Sequence, residues 1–346
     1  MRIAQVAPLY ERVPPLLYGG TERVVSYLTE ELVKEGHEVV LFASGDSETS
    51  AELVPVCERA LRLDARCIDP VAFNFLLMEA VLKRHGEFDI IHSHVDYFGF
   101  DIGRRTHVPV VSTLHGRLDL WEHAFIFREY SEVPLVSISN SQRSPLPWAN
   151  WAATVYHGLP PDLYTLRMEN GGYLLFIGRI SPEKKVDSAI EIAARAGMPL
   201  KIAAKVDRVD QEYFDAVIRP LLKNPLVEFI GEVNEREKNG LIGGALAFLH
   251  PVDWPEPFGL SMLEAMACGT PVIARRRGSI PEVVDHGVTG FIFEDDGEAV
   301  RYITEDCPGF SRTGCRARFE SRFLSERMCS GYLSVYGALL DRSGGT

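Results

Sequence analysis

The 346-residue sequence predicts an α/β protein of two doubly wound domains, each built on a parallel sheet. Short β-branched segments alternate with amphipathic helical segments almost from end to end. The chain is long enough for two domains of roughly 150 residues each, and the alternation starts afresh near its middle. Because strands that alternate with helices pair in parallel through helical crossovers, each half should form its own sheet.

The first half begins with a strand at Ile3–Ala7 and a helix at Thr21–Glu35. Apolar residues recur at three- and four-residue spacing along this helix, and Gly36 ends it. The other strands of this half are predicted at Glu38–Ala43, Asp89–His92, Val108–Thr113 and Val133–Ser139.

The second half begins with a strand at Tyr173–Ile177, and a helix follows with Ser181 as its cap and Pro182 in its first position. A capping box is expected at Ser279 and Glu282, and a last helix at Arg322–Leu340. The remaining strands of this half are predicted at Leu200–Val206, Val227–Ile230, Ala247–His250, Val272–Ala274 and Phe291–Phe293.

Composition excludes several classes of protein. The net charge of −12 repels nucleic acid and argues against strong attraction to anionic lipid. No stretch approaches the roughly 18 apolar residues of a membrane span, and the N-terminus is typical of a first strand rather than a signal peptide. The six cysteines form no C-x-x-C pair and no metal-binding spacing, so reduced thiols in a cytoplasmic protein are expected.

The segment PEPFGLSMLEAMACGTPVIA places two carboxylates, Glu256 and Glu264, eight positions apart. Phe258 and Gly259 form a corner between them, and Leu260 opens a short helix. Backbone N–H groups at such a helix start can face an anion. Each ionised carboxylate accepts hydrogen bonds from hydroxyl groups, so the pair suits a polyol ligand.

The segment GRISPEKK places Arg179 at a strand end and Lys184 in the first turn of the next helix. Cations are unfavourable at a helix start, so an anion should compensate them. A pyrophosphate does so through bidentate Arg and point-charge Lys contacts. The alternative is an ordinary solvated basic turn, and Lys185 is expected to face solvent.

Weaker signals lie in the first half. Gly19 and Gly20 precede a helix and let the backbone approach a ligand, although a lone Gly-Gly is more often a plain turn. His115 ends the strand-like VVSTLHG, where a lone histidine is usually structural. His92 and His94 in DIIHSH are too few ligands for a metal site.

In their order along the chain, these motifs resemble those of the family 4 retaining glycosyltransferases, the glycogen-synthase-like group with the GT-B fold. The resemblance implies two Rossmann-like domains facing each other across a cleft, with a C-terminal helix that crosses back to the first domain. The domains are predicted as an acceptor-side domain at 1–158, a nucleotide-sugar-binding domain at 159–321 and the C-terminal helix at 322–346.

The resemblance also implies the reaction. A hexose moves from a nucleoside diphosphate sugar to a hydroxyl acceptor with retention, by front-face attack and without a metal ion. In the catalytic group, Arg179 and Lys184 neutralise the leaving diphosphate, Glu256 contacts the transferred sugar and His115 reaches that sugar. The expected donor-binding residues are Glu264 on the ribose, Val233 near the base, Gly19 and Gly20 at the phosphates, and the helix start at Phe258, Gly259 and Leu260.

A donor of the UDP-glucose type is favoured, with a glycan or a small metabolite as acceptor, polysaccharide biosynthesis as the setting and at most weak peripheral contact with a membrane. The alternatives are a GDP-mannose-dependent mannosyltransferase, a UDP-sugar epimerase and a non-catalytic nucleotide-sugar-binding subunit. The chain departs from the family pattern at 157–160, at 250–254 and at Gly278-Ser279, so the identities of donor and acceptor stay open.

Overall fold

The computed structural model describes residues 1–343, and the chain divides into two compact units. Unit 1 comprises Met1–Pro160 together with the C-terminal segment that begins at Ser325. Unit 2 comprises Pro161–Leu324. Each unit holds one parallel sheet flanked by helices, which is the architecture that the alternating pattern predicts.

Unit 1 contains a seven-stranded parallel sheet in the order β3-β2-β1-β4-β5-β6-β7. Its strands are β1 (Arg2–Val6), β2 (Glu38–Ser44), β3 (Glu52–Cys57), β4 (Ile90–Ser93), β5 (Val110–Thr113), β6 (Leu135–Ser137) and β7 (Trp151–Thr154). Its helices before residue 160 are α1 (Gly20–Lys34), α2 (Pro70–Arg84), α3 (Phe100–Arg105) and α4 (His123–Glu129). Core residues of this sheet include Ala4, Val6, Val40, Phe42, Ile91 and Val110.

Two strands of this sheet escape the sequence prediction. Both β3 and β7 lie at its edges, and their residues are half-buried or exposed. Edge strands lack the continuous apolar run that marks a strand buried on both faces. Their absence from the prediction therefore follows from their position in the sheet.

Unit 2 contains a six-stranded parallel sheet in the order β10-β9-β8-β11-β12-β13. Its strands are β8 (Leu174–Arg179), β9 (Leu200–Lys205), β10 (Val227–Phe229), β11 (Ala247–His250), β12 (Val272–Arg275) and β13 (Gly290–Phe293). Its helices are α5 (Val186–Ala196), α6 (Gln211–Tyr213), α7 (Arg219–Leu221), α8 (Glu235–Gly244), α9 (Leu260–Ala267), α10 (Ile280–Val283), α11 (Asp296–Arg301) and α12 (Arg312–Arg322), with a π-helical turn at Phe214–Ile218. Core residues include Leu174, Phe176, Leu200, Ile202, Leu249, Ile273 and Phe293.

Three local predictions in unit 2 are wrong. Ser181 precedes the turn at Pro182 as expected, but its side chain makes no capping hydrogen bond. Lys184 does not lie in the first turn of an α-helix, because Pro182–Lys184 forms a separate 3₁₀ turn. Lys185 adopts a left-handed conformation, at φ 55°, and separates this turn from α5. The capping box at Ser279 does not form either. The Ser279 hydroxyl instead donates to the Phe258 carbonyl at 3.1 Å, so it does not cap α10.

The last helix, α13 (Ser325–Ser343), belongs to unit 1, and the predicted return of the C-terminal helix to the first domain is confirmed. Its predicted start at Arg322 is wrong, since Arg322 ends α12. The Ser325 hydroxyl donates to Glu31 of α1 at 2.9 Å. Tyr332 and Tyr336 of α13 are completely buried.

Strand order places the carboxyl ends of β1 and β4, and those of β8 and β11, next to each other. The direction in which strands are added reverses between β1 and β4 in unit 1 and between β8 and β11 in unit 2. In open parallel sheets, ligands bind outside the carboxyl ends of strands at such a reversal. No helix within residues 1–343 is both long and apolar enough to cross a membrane.

Candidate functional site

In unit 2, the two strongest sequence motifs meet at the strand reversal. Arg179 is the last residue of β8, and the turn that follows carries Lys184. The loop after the neighbouring β11 carries Glu256 and leads into α9. Strands that are adjacent in the sheet thus bring together segments that lie more than 70 positions apart.

Lys184 and Glu256 are bonded to each other. The Lys184 ammonium donates to Glu256 Oε2 at 2.5 Å, and the Trp254 indole N–H donates to the same oxygen at 2.8 Å. The ammonium also lies 4.9 Å from the centre of the Trp254 ring. Both hydrogen bonds go to Oε2, and Oε1 receives none from the part of the chain that the structure describes.

The surroundings of Glu256 keep it ionised although it is 8% exposed. Burial alone raises the pKa of this carboxyl, but attraction to Lys184 and His250, with the hydrogen bonds from Lys184 and Trp254, brings the pKa below its ordinary value. A charged carboxylate held in this way accepts hydrogen bonds from hydroxyl groups and does not donate a proton.

His250 ends β11 and faces the same place. A Cβ atom added at Gly259 would lie 3.5 Å from both His250 Nε2 and Glu256 Cγ, so the three residues converge. Burial lowers the pKa of His250 to about 4, and the ring is therefore neutral near pH 7. Its Nε2 atom is buried and has no hydrogen-bond partner within residues 1–343.

Glu264 has a lysine partner that the sequence analysis missed. The Lys238 ammonium of α8 donates to Glu264 Oε1 of α9 at 2.6 Å, and both side chains are almost fully buried. Lys238 also lies 3.4 Å from Glu235. No sequence signal singles out Lys238, because a lysine on a polar helix usually faces solvent.

Arg179 lies among three carboxylates. Its guanidinium donates to Glu183 at 2.8 Å and lies 3.8 Å from Asp207 and 3.5 Å from Asp210. The negative charge expected beside the basic turn is thus supplied by acidic side chains. Glu256 supplies the negative charge beside Lys184.

The corner before α9 is built as the sequence predicts. Gly259 adopts φ +82° and Leu260 is the first residue of the helix, while Phe258 is buried beneath them. Gly278 supports this corner from behind. A Cβ atom there would lie 2.4 Å from both the backbone nitrogen and the backbone oxygen of Glu256, so only glycine fits.

Val233 lies in the loop between β10 and α8, where it is half-buried. The helix that follows begins with a capping box between Asn234 and Glu237. Neither feature by itself indicates a contact with a base.

Unit 1 carries the other predicted residues, Gly19, Gly20 and His115. Gly19 is buried with φ +151°, and a Cβ atom there would lie 2.8 Å from Pro15 Cβ; Gly20 is exposed and starts α1. His115 follows β5, and its Nε2 atom lies 2.9 Å from Nδ1 of His94. Both nitrogens of His92 and of His94 are within hydrogen-bond distance of other side chains.

Comparison with known families accounts for most of the chain. Residues 18–156 match the family model described as Glycosyltransferase Family 4. Residues 165–305 match the model described as Glycosyl transferases group 1. The two matches fall one in each unit.

Individual relatives agree with these matches. A glycogen synthase of Mycobacterium tuberculosis is 28% identical over 97% of this chain and 94% of its own length. The structure of sucrose-phosphate synthase from Thermosynechococcus elongatus superposes with a TM-score of 0.82 at 18% identity, covering 99% of this chain and 100% of that one. The Anabaena protein HepE in complex with UDP and glucose gives a TM-score of 0.74 at 20% identity, over 98% and 100% of the two chains. These likenesses confirm the predicted GT-B fold.

Proposed function

Since this chain belongs to the family 4 glycosyltransferases with the GT-B fold, we propose that it moves a hexose from a nucleoside diphosphate sugar to a hydroxyl acceptor. We further propose that the anomeric configuration is retained and that no metal ion takes part. The relatives support sugar transfer as such; donor, stereochemistry and metal independence are our inference from the residues below.

The observation that carries the proposal is a pair of buried lysine–glutamate contacts in unit 2. Lys184 bonds one oxygen of Glu256, and Lys238 bonds one oxygen of Glu264. In each glutamate the second oxygen receives no hydrogen bond within residues 1–343. Two carboxyl groups, each paired with a lysine through one oxygen and with the other oxygen open as an acceptor, suit two groups of hydroxyls on one ligand.

Glu264 is assigned to the ribose of the donor and Glu256 to the transferred sugar. Lys238 neutralises the charge of Glu264 inside the protein and directs Oε1 away from the ligand. The remaining oxygen of Glu264 then accepts from the ribose hydroxyls. A buried carboxylate without this ammonium is costly, so Lys238 is a positioning residue for nucleotide binding.

Arg179 and Lys184 are assigned to the diphosphate. Negative charge grows on the β-phosphate oxygen as the glycosidic C–O bond breaks, and fixed cations stabilise that charge most in the transition state. Binding of the donor replaces the carboxylates that now face Arg179 with phosphate oxygens. Phosphate also accepts the bidentate contacts that a guanidinium offers.

For the course of the reaction we propose the front-face attack that the family resemblance implies. The acceptor hydroxyl attacks the anomeric carbon on the face that the diphosphate leaves, and the departing phosphate oxygen takes its proton. Positive charge on the sugar ring is stabilised by the Glu256 carboxylate, which hydrogen-bonds the sugar. His115, Gly19 and Gly20 of unit 1 are assigned to the sugar and to the donor phosphates, and Val233 to the base.

UDP-glucose is the donor that we favour, and titration calorimetry tests it. The purified protein is titrated with UDP, GDP and ADP, first without added metal and then with EDTA. Micromolar, EDTA-insensitive binding of UDP is the expected result. A preference for GDP would favour a mannosyltransferase, and binding of no nucleotide, or only with a divalent ion, would contradict the assignment of Arg179, Lys184 and Glu264.

Stereochemistry is tested without knowledge of the acceptor. Slow hydrolysis of UDP-glucose by the enzyme, followed by proton NMR, identifies the glucose anomer that forms first. The α-anomer is expected for retention, because the donor is α-linked. First formation of the β-anomer would contradict retention.

A further inference from the structure

A cluster of buried polar side chains in unit 1 lies beneath His115. Gln5 of β1, His92 of β4 and Thr113 of β5 are fully buried, and His94 is nearly so. Tyr336 of α13 reaches the same cluster. Such positions in a sheet core are usually apolar. Buried polar groups are normally hydrogen-bonded, so each hydrogen bond in this cluster should have a donor and an acceptor that can be assigned.

One branch of the cluster leads to His115. The Gln5 amide nitrogen donates to the Tyr336 hydroxyl at 3.1 Å, which leaves Gln5 Oε1 as an acceptor. His94 Nε2 lies 2.8 Å from that oxygen and must therefore carry the proton. In a neutral ring, His94 Nδ1 is then the acceptor, and the N–H that it accepts at 2.9 Å belongs to His115 Nε2.

A second branch starts from the same Gln5 amide and fixes the protons on Tyr336, His92 and Thr113. The Tyr336 hydroxyl accepts from Gln5, so its own proton goes to His92 Nδ1 at 2.7 Å. His92 Nε2–H then donates to Thr113 Oγ1 at 2.7 Å. The Thr113 hydroxyl donates in turn to Tyr332 at 3.1 Å, as a hydroxyl that has already accepted a proton should.

Both branches require neutral rings, and burial provides for this. It lowers the pKa of His92 and His94 well below the ordinary value and that of His115 to about 3. Among the described residues 1–343, no carboxylate bonds any nitrogen of these three rings. Each ring then has one N–H and one lone pair, and the positions of all three protons follow from the orientation of the Gln5 amide.

The positions of these protons determine the state of Nδ1, the other ring nitrogen of His115. With Nε2 protonated, Nδ1 is a lone-pair acceptor, and it is buried without a hydrogen-bond partner within residues 1–343. An unsatisfied acceptor in a buried position is costly, and such atoms occur at functional sites.

We propose that His94 is a positioning residue which, with Gln5 and Tyr336, holds His115 as the Nε2–H tautomer, so that His115 Nδ1 accepts a hydrogen bond from a hydroxyl of the transferred sugar. This inference rests on the proposed function for the sugar contact, but the tautomer itself does not. The His-x-His motif is then a hydrogen-bond relay and not half of a metal site.

The tautomer is read directly by nitrogen–proton correlation NMR on protein labelled with ¹⁵N-histidine. In the wild-type protein His115 is expected to carry its proton on Nε2. Tyr336→Phe removes the hydroxyl that orients the Gln5 amide, and a mixture of His115 tautomers is expected. The matched control is Tyr332→Phe, one turn earlier on α13, which leaves the branch from Gln5 to His115 intact and should keep the wild-type tautomer.

Kinetics supply the second readout. His94→Leu removes the acceptor of the His115 N–H, and kcat/KM for donor turnover should fall about tenfold, which corresponds to one hydrogen bond. His94→Asn restores an acceptor near the position of Nδ1 and should recover part of the loss. UDP affinity should stay within about twofold in both variants, because UDP does not contain the transferred sugar.

Other results would overturn the proposal. A proton on Nδ1 of His115 in the wild-type protein contradicts it, whatever the activity. Turnover by His94→Leu at the wild-type kcat/KM also contradicts it, while the proposed function stands. If the wild-type protein turns over no donor, the proposed function fails, and the tautomer spectrum still decides the relay.

Discussion

The ammonium of Lys184 lies 2.5 Å from Oε2 of Glu256, although the proposed mechanism places these side chains at opposite ends of the glycosidic bond. Lys184 is expected to hold the leaving phosphate and Glu256 the sugar. In the proposed mechanism, their contact lies where the glycosidic bond breaks. It also keeps Glu256 ionised, so each residue prepares the other for the donor.

We expect Glu256→Gln to abolish most turnover and to spare nucleotide binding. The amide keeps the size of the carboxylate but lacks the charge that stabilises the sugar ring. Loss of one such interaction lowers kcat by about a hundredfold. UDP release from UDP-glucose measures turnover, and calorimetry measures the Kd for UDP, which should change less than about threefold.

The control for this variant is Asp253→Asn in the same loop. Asp253 pairs with Arg277 at 2.8 Å, and both side chains are exposed, so the pair contributes little. Turnover by Asp253→Asn should match that of the wild-type protein. Equal losses in the two variants would mean that Glu256 acts only through the shape of the loop.

Glu264→Ala should weaken UDP binding about tenfold or more, because hydrogen bonds to the ribose are lost. Lys238→Met should weaken it in the same direction, since Glu264 is left buried without its cation. Calorimetry with UDP measures both effects. Lys223→Met, at an exposed lysine of the same unit, is the control, and unchanged UDP affinity in Glu264→Ala would refute the ribose assignment.

Gly278→Ala should destabilise unit 2 and reduce turnover. Alanine is strained at φ +52°, which costs about 1–2 kcal/mol, and its Cβ overlaps the Glu256 backbone, which adds about 1–3 kcal/mol. The matched variant is Gly287→Ala, where φ is +79° but no atom lies within 4 Å of the added Cβ. The difference in urea midpoint between the two isolates the contact with Glu256. Equal midpoints and equal turnover would show that the contact is relieved without consequence.

Acid should destabilise the protein already at pH values well above the ordinary pKa of carboxylates. Burial lowers the pKa of His115 to about 3 and of His250 to about 4. Because both values lie below that of an unfolded histidine, the unfolded chain binds protons first, and stability present above about pH 6.5 is lost as the pH falls toward these values. Each histidine accounts for about 1 kcal/mol between about pH 7 and 5.5.

Glu22 acts in the opposite direction and supplies the control. Burial raises its pKa to about 7, so its contribution to stability increases as the pH falls from about 7 toward about 4.5. Glu22→Gln removes this opposing effect and should steepen the loss in acid. Urea midpoints at about pH 7 and about pH 5.5 measure the change. A midpoint of Glu22→Gln that does not move between these pH values would contradict neutral buried histidines.

The prediction of secondary structure succeeds where burial is continuous. β1, α1, β11 and α9 bury a regular pattern of apolar residues, and the sequence places them within a residue or two. The strands β3 and β7 were missed because an edge strand buries too little to leave such a pattern. The prediction of Lys184 in a helix is wrong because no local sequence signal indicates the left-handed conformation of Lys185.

The sequence by itself determined the class of fold and the family, because the periodicity of apolar residues and the spacing of motifs can be read along the chain without knowledge of its folding. Only the tertiary structure decided which side chains are partners. Lys238 lies 26 positions from Glu264 and Gln5 lies 331 positions from Tyr336, yet each pair is in hydrogen-bond contact. Lys238, Glu264 and Tyr336 lie on helices and Gln5 lies on a strand. The packing of these elements against one another brings each pair together, and that packing does not follow from the spacing of residues along the chain.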